Sequence, residues 1–527
     1  MKYLYKTLPL KTILFCLLFA SQAQLPAQSN PPKREFRAVW IATVNNIDYP
    51  RKPIPYSIAQ KEQWKKIVEK YKKLGFNALI VQIRPAGDAF YPTAYAPWSK
   101  YLTGQQGLPP QPLYNPLEFM IEETHKQGME FHAWLNPYRA TVDLDTFSLA
   151  GNHMFFKHPE WMLKYGGKHY FNPALPEVRQ HLTDVVEEVV KNYDIDAIHF
   201  DDYFYPYRIK DVPLQDTLDY IKYGAGFEQI DDWRRDNVDQ LIEAISYMIK
   251  QNKPHVKFGI SPFGVWRNRD KDPRGSDTRA GVTSFDDLYA NVLKWMNAGW
   301  IDYIVPQLYW SIGFEPADHE KLLRWWSRNT FGKHLYIGHA VYKVADNNDE
   351  NWHDPEELPR QIRLNRRNYN SLGSAFFSAK YLLENPLGVK DSIDYYYKYP
   401  ALLPEVSELS LKSFAQPTLK KLKYSKDAVK LRWKPNKLNK HQPPAYYVIY
   451  RFEGTKISMN DYDDPRNIIA ITPFNAEKKA LKFYDETTEE GKTYTYAITA
   501  VNRQHSESKP SMVRRGYREV NKVKNLK

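Results

Sequence analysis

Short apolar runs alternate along most of the chain with longer segments whose apolar residues recur every three or four positions. The short runs are Arg37–Thr43, Ala78–Ile83, Glu130–Leu135, Ala197–Phe200, Lys257–Ser261, Tyr303–Gln307, Leu335–Ala340 and Ser374–Phe377, and each reads as a strand. The periodic segments read as helices: Gln60–Lys73, Pro116–Gln127, Glu177–Asn192, Asp236–Gln251, Phe285–Ala298, Asp318–Asn329 and Pro355–Tyr369. Three helices stop at a glycine and pass at once into a strand, at Gly75, Gly128 and Gly299. Glycine accepts the left-handed backbone that ends a helix, so these are tight αβ turns. Strands alternating with helices predict a parallel sheet, and eight such units predict an α/β fold, a (β/α)8 barrel, over residues 33–400. The long segments 84–115, 136–175 and 203–235 all follow strands. They therefore fall on one face, where the working site of such a barrel lies, and they are expected to wall a substrate cleft.

The pattern changes after residue 400. Residues 401–417 read as a linker and 418–515 as an all-β module, with strands at Ala428–Trp433, Tyr446–Phe452, Ile468–Thr472, Lys482–Tyr484 and Thr493–Val501. Trp433 on an early strand, Tyr447–Arg451 and Tyr494–Ile498 resemble a fibronectin type III sandwich. Residues 516–527 read as a frayed basic tail. At the other end, 1–28 reads as a secretory signal peptide: Lys2, Lys6 and Lys11 precede an apolar Ile13–Ala20 core too short to span a bilayer. Cleavage is expected after Ala23, with Ala27 as the second choice. Cys16 follows Phe15 inside that core, which disfavours lipidation. No transmembrane segment is expected, and the protein is expected to be exported to the periplasm or beyond.

Composition narrows the chemistry. Cys16 is the single cysteine, so disulfides, thiolate metal sites and a cysteine nucleophile are excluded from the mature chain. The net charge of +13 is unevenly spread: residues 415–527 hold 24 basic and 12 acidic residues, whereas 30–414 hold 47 and 49. A nucleic-acid enzyme would carry the excess around its groove, so no nucleic-acid partner is expected. The basic module suits contact with an anionic envelope surface. Aromatic residues make up 15% of the chain, and flat rings stack on the C–H faces of sugars.

The densest chemical signal is Asp196-Ala197-Ile198-His199-Phe200-Asp201-Asp202-Tyr203-Phe204-Tyr205-Pro206, where two adjacent carboxylates and several rings emerge at the end of the fourth strand. Neighbouring carboxylates repel, so their proton affinities separate, as a general acid beside a charged partner requires. Other strand ends add Arg84 and Asp88, Trp134, Asn136 and Tyr138, Gln307 and His339 as candidate substrate ligands, together with His199 and Tyr203. Trp266, Tyr309 and Trp310 are candidate stacking platforms. Barrel glycosidases with two carboxylates commonly take one acid from the seventh strand end, and none stands there. A crowded pair suits substrate-assisted hydrolysis, in which a 2-acetamido oxygen of the sugar attacks. Asp201 then orients the amide, Asp202 protonates the leaving oxygen and Tyr309 hydrogen-bonds the amide oxygen.

Two other classes stay open. His132, His199 and His339 near strand ends allow a metal-dependent hydrolase, although the first strand lacks a His-x-His and no His-Glu-x-x-His occurs. A glycan-binding protein without catalysis is the other. No Gly-rich nucleotide loop and no Gly-x-Ser-x-Gly elbow is present, and no cofactor is expected.

Four ordered motifs carry a resemblance: Glu35–Val44, Gln82-Ile83-Arg84-Pro85, Trp134-Leu135-Asn136-Pro137 and His199-Phe200-Asp201-Asp202-Tyr203. Over about residues 33–400 the chain resembles the glycosyl-hydrolase-like 10 family of exported bacterial proteins, several of which carry a trailing fibronectin-like module. The resemblance implies a barrel glycosidase acting on peptidoglycan strands, in particular strands stripped of stem peptides.

Overall fold

The computed structural model describes residues 31–406, 414–439, 443–474 and 481–526. The expected signal peptide and residues 407–413 of the expected linker lie outside the described residues.

Eight parallel strands close into a barrel: β1 (Phe36–Ile41), β2 (Ala78–Arg84), β3 (Glu130–Leu135), β4 (Ala197–Phe200), β5 (Lys257–Ile260), β6 (Tyr303–Ile304), β7 (His334–Ala340) and β8 (Ser371–Phe377). All eight overlap the runs read from the sequence, although the sixth is cut to two residues. β1 closes the ring by pairing with both β2 and β8, with Ala38 opposite Ala78 and Ala375. Side chains alternate across each strand. One set points inward: Phe36, Ala38, Trp40, Ala78, Ile80, Trp134, Tyr303 and Tyr336 pack together within the barrel. The alternate set, including Val39, Ile41, Leu79, Val81, Phe131, Leu135 and Phe200, packs on the surrounding helices.

Those helices include α1 (Ser57–Lys73), α2 (Pro116–Lys126), α3 (Pro176–Asn192), α4 (Ile230–Asn252), α5 (Val292–Asn297), α6 (His319–Arg328) and α7 (Glu357–Arg367). Gly75 ends the turn after α1 at φ +81°, and a Cβ there would lie 2.5 Å from the Tyr397 carbonyl. Two helix starts differ from expectation by six residues or more. α4 begins at Ile230, six residues early, which buries Trp233. The helix expected from Phe285 starts only at Val292, because side chains capture the backbone ahead of it: the Thr283 N–H donates to Asp287 Oδ2 and the Asp286 N–H to Thr283 Oγ1.

The C-terminal part is two antiparallel sheets. One contains β9 (Thr418–Leu419), β10 (Lys423–Ser425), β11 (Ala428–Lys434) and β14 (Leu481–Asp485). The other contains β12 (Tyr446–Glu453), β13 (Ile468–Pro473), β15 (Thr493–Val501), β16 (Arg514–Glu519) and β17 (Lys522–Leu526). The expected frayed tail is thus a hairpin, β16–β17, paired from Arg515↔Leu526 to Glu519↔Lys522. Alternation of basic with small or apolar residues hides such a strand from a reading by net charge. The sandwich sits on the barrel end where strands begin. Residues 401–406 run between the two parts with Leu402 and Leu403 buried, and the Val406 N–H bonds the Gln504 carbonyl.

Candidate active site

The opposite end of the barrel, where strands finish, holds a cleft of about 410 Å³, within the range of small-ligand sites. Asp201 and Asp202 lie in it, both almost fully buried at 5% and 4% exposure. Adjacent residues of a strand face opposite ways, so a continued β4 would turn only Asp201 inward. The strand stops at Phe200 instead. Asp201 Oδ1 accepts the Tyr203 N–H at 3.3 Å, and this tight turn swings Asp202 back toward the cleft.

Three N–H groups converge on Asp201: Trp134 Nε1 at 3.1 Å and Asn136 Nδ2 at 3.2 Å on Oδ2, with Tyr203 N on Oδ1. Asp202 accepts the Tyr207 hydroxyl and the Gln307 side chain, and Gln307 is anchored by donating to the Ser261 carbonyl at 2.9 Å. Burial, reinforced by the charge of Asp202, pushes the Asp201 carboxyl up to about 7. Burial also raises Asp202, against the hydrogen bonds from Tyr207 and Gln307. The two titrate as a unit that keeps one proton into the neutral range. Arg139 offsets part of this, since its positive charge lowers both; its guanidinium lies 4.5 Å from the Tyr203 ring centre. Tyr309 faces the pair, and burial with the neighbouring Tyr342, Asp202 and Asp201 raises its hydroxyl well above the usual phenol value, so it stays a neutral donor. Rings of Trp40, Phe263, Trp310, Tyr342 and Phe377 form the apolar walls.

Of the residues expected at the site, Asp201, Asp202, Tyr309, Trp134, Tyr203, Gln307 and Trp310 line the cleft. Asn136 and His199 stand one layer behind, where Asn136 holds Asp201 and His199 receives the Trp40 indole and Ser261. Five others lie elsewhere. His339 follows inward Tyr336 and Gly338 with the opposite parity, so it faces the helix layer, where it meets Gln361 at 2.9 Å. Arg84 is turned outward by a register shift: Gln82 pairs with inward Trp134, but Arg84 pairs with outward Leu135. It donates to the Asn136 and Pro137 carbonyls beside Phe171. Asp88 is buried beside it, with its carboxyl raised by burial. Tyr138 is buried in the outer core, and Trp266 is buried with its ring stacked on Trp325.

The reading by strand ends misses Arg139, Tyr207, Trp40 and Lys343. Trp40 was recoverable from the alternation of β1, inward with Ala38 and Ala42. Tyr207 and Arg139 stand in loops, where no period assigns a direction. The segment 84–115 contributes nothing to the wall. It packs its own Phe90, Tyr101 and Leu102 cluster, and the short β1–α1 loop supplies Val44 and Ile47 instead. His132, His199 and His339 are not gathered around one point, and the described residues contain no cluster of three or more His, Cys, Asp or Glu able to hold a metal.

Residues 35–354 match the family described as glycosyl hydrolase-like 10. Glycosyl hydrolase YngK of Bacillus subtilis (strain 168) is 49% identical over 485 residues, covering 91% of this chain and 92% of the relative. Glycosyl hydrolase DigH of Escherichia coli (strain K12) is 38% identical over 388 residues, covering 68% and 87%. Among solved structures, the PgaB (BpsB) glycoside hydrolase domain from Bordetella bronchiseptica aligns at 13% identity with a TM-score of 0.44, covering 68% of this chain and 99% of that one.

Proposed function

Since this chain belongs to the glycosyl hydrolase-like 10 family and is a glycoside hydrolase, we propose that it cleaves an N-acetylated amino-sugar glycan, the strands of peptidoglycan, with Asp201 and Asp202 as its catalytic pair. One observation carries the reading. The only acids lining the cleft, among the described residues, are two sequence neighbours buried side by side, and burial raises the carboxyl of each.

A bound substrate divides the roles. In the free protein burial and the charge of Asp202 raise the Asp201 carboxyl despite its three N–H donors; a substrate amide N–H adds a fourth donor, which favours the ionised form of Asp201. The proton then resides on Asp202, whose hydroxyl protonates the glycosidic oxygen. As the C1–O bond breaks, the 2-acetamido carbonyl oxygen bonds to C1, Asp201 stabilises the positive amide, and the Tyr309 hydroxyl steadies its oxygen. Asp202, now ionised, takes a proton from water, which attacks C1 and restores the acetamide. Two displacements retain the configuration. Arg139 and Lys343 are cations of the wall, suited to the free carboxylate of a muramic acid that bears no peptide.

Such a substrate lies outside the cytoplasm, and residues 1–28 read as the leader that carries the chain there. The sandwich, with one sheet containing β9, β11 and β14 and the other β13, β12, β15 and β16, is read as fibronectin type III-like, its basic surface meeting an anionic envelope. Digestion of intact and amidase-stripped peptidoglycan, followed by mass spectrometry, tests the reading. Sugar fragments are expected from the stripped strands and none with Asp201→Asn or Asp202→Asn. A substrate without the N-acetyl group that turns over at full rate would exclude participation of the amide.

A further inference from the structure

Within the barrel, polar side chains form a line that the chemistry at the mouth leaves unused. His132, His199 and Tyr303 are fully or almost fully buried in an apolar interior, where unpaired polar groups are costly. They are paired in series. At the cleft floor, Trp40 Nε1 lies 3.3 Å and Ser261 Oγ 3.1 Å from His199 Nε2. His199 Nδ1 lies 3.0 Å from the Tyr303 hydroxyl, and that hydroxyl 2.8 Å from His132 Nδ1. His132 Nε2 lies 2.9 Å from Glu130 Oε2. Glu130 stands where β3 begins, at the end of the barrel away from the cleft. Lys257 Nζ holds it at 2.5 and 2.6 Å, and His505 Nε2, from the sandwich, at 2.8 Å.

The two ends impose one order of protons. An indole N–H only donates, so His199 Nε2 accepts and its hydrogen sits on Nδ1. His199 then donates to Tyr303, Tyr303 donates to His132 Nδ1, and His132 donates through Nε2 to a carboxylate that only accepts. Burial keeps both imidazoles neutral, and Lys257 and His505 keep Glu130 ionised against burial.

We propose that Glu130 is a positioning residue for the active site, fixing through His132 and Tyr303 the His199 tautomer that receives the Trp40 indole and the Ser261 hydroxyl. The floor of the cleft is thus set from the far end of the barrel, at the contact with the sandwich. The proposal rests on the cleft being the site of hydrolysis. Glu130→Gln removes the constraint. Lys257 takes the amide oxygen, an amide N–H faces His132, and the order reverses along the line. The hydrogen of His199 then points at the indole N–H, donor against donor, and Trp40 must shift.

The test uses the full-length protein and two readouts. Imidazole ¹⁵N shifts, assigned with His199→Asn and His132→Asn, report the tautomers without any substrate. They are expected to place hydrogen on Nδ1 of His199 and Nε2 of His132, and Glu130→Gln is expected to move the former to Nε2. Turnover of amidase-stripped glycan is expected to fall on the order of tenfold in kcat/KM. Tyr303→Phe cuts the line without altering a charge, so adding Glu130→Gln to it is expected to change neither the His199 tautomer nor the rate further. Opposite tautomers in the wild type, or the same loss from Glu130→Gln in the Tyr303→Phe background, would overturn the proposal. If Glu130→Gln does not fold, a folded Tyr303→Phe protein with the wild-type tautomer and rate would overturn it alone. No turnover by the wild type sinks the hydrolysis reading instead, and the tautomer shifts still decide the order of protons.

Discussion

At Asp201 the same physics that suits catalysis works against stability. Its folded-state pKa of about 7 lies above the ordinary carboxylate value of 3.8, so folding favours the protonated form. Below pH 3.8 the group has no effect on stability. As pH rises from there to about 7 the folded state must give up a proton that it holds more tightly, and stability falls by on the order of 4 kcal/mol. Asp201→Asn removes that penalty. The variant is expected to lose at least about a hundredfold in kcat, yet to melt higher than wild type at pH 8 and equal to it at pH 4, as scanning calorimetry at the two pH values would show. Equal melting at pH 8 would mean that the pair is not buried in solution. Tyr207 supplies a second test of the shared proton. Its hydroxyl lowers Asp202, so Tyr207→Phe leaves the proton held more tightly. The alkaline limb of the kcat/KM profile is expected to move to higher pH, and an unmoved or lowered limb would contradict the assignment.

At the level of the strand, direction decides which residues meet a substrate, and direction was only partly legible in the sequence. The positions of all eight barrel strands follow from apolar runs and glycine turns, because both are local properties. The Asp201–Asp202 pair was legible for the same reason: strand β4 and its polar end are contiguous in the chain. His339 and Arg84 were misdirected by one residue, His339 by the parity of β7 and Arg84 by the register shift in β2, which only the partner strand β3 reveals. Tyr207 and Arg139 reach the cleft from loops whose course depends on the packing of 136–175 against 203–214, a long-range property. Trp266 and Trp310, equal candidates in sequence, separate here. Trp266 is 1% exposed and packs on Phe285 and Trp325, so Trp266→Ala is expected to cost about 3–5 kcal/mol of stability. Trp310 lines the cleft against Phe263, so Trp310→Ala is expected to raise KM several-fold with little change in melting temperature. Urea unfolding beside steady-state kinetics distinguishes the two, and a reversal of the pattern would show that β5 and β6 carry their loops differently.

Over the whole molecule, the placement of the sandwich bears on whether it is a separable appendage. It is tied to the barrel by groups that no flexible tether would supply. His505 reaches Glu130 at 2.8 Å, Arg503 reaches Asp194 at 2.6 Å, and Glu507 meets Lys33 at 2.8 Å. Leu402 packs among Tyr446, Val448 and Tyr450, so apolar surface of the connecting segment is also covered by the sandwich. Removing the sandwich leaves Glu130 and Lys257 facing water at the end of the barrel and uncovers that apolar strip, and both changes weaken the barrel itself. Two parts joined in this way unfold together, whereas parts joined by a loose linker unfold separately. Calorimetry of the full chain is therefore expected to show one cooperative transition with equal calorimetric and van't Hoff enthalpies. Arg503→Ala combined with Glu507→Ala, which cuts two of the three ties at the rim, is expected to split it into two. Two transitions in the wild type would show that the barrel and the sandwich are independent in solution, and that the sandwich does not act on the cleft from below.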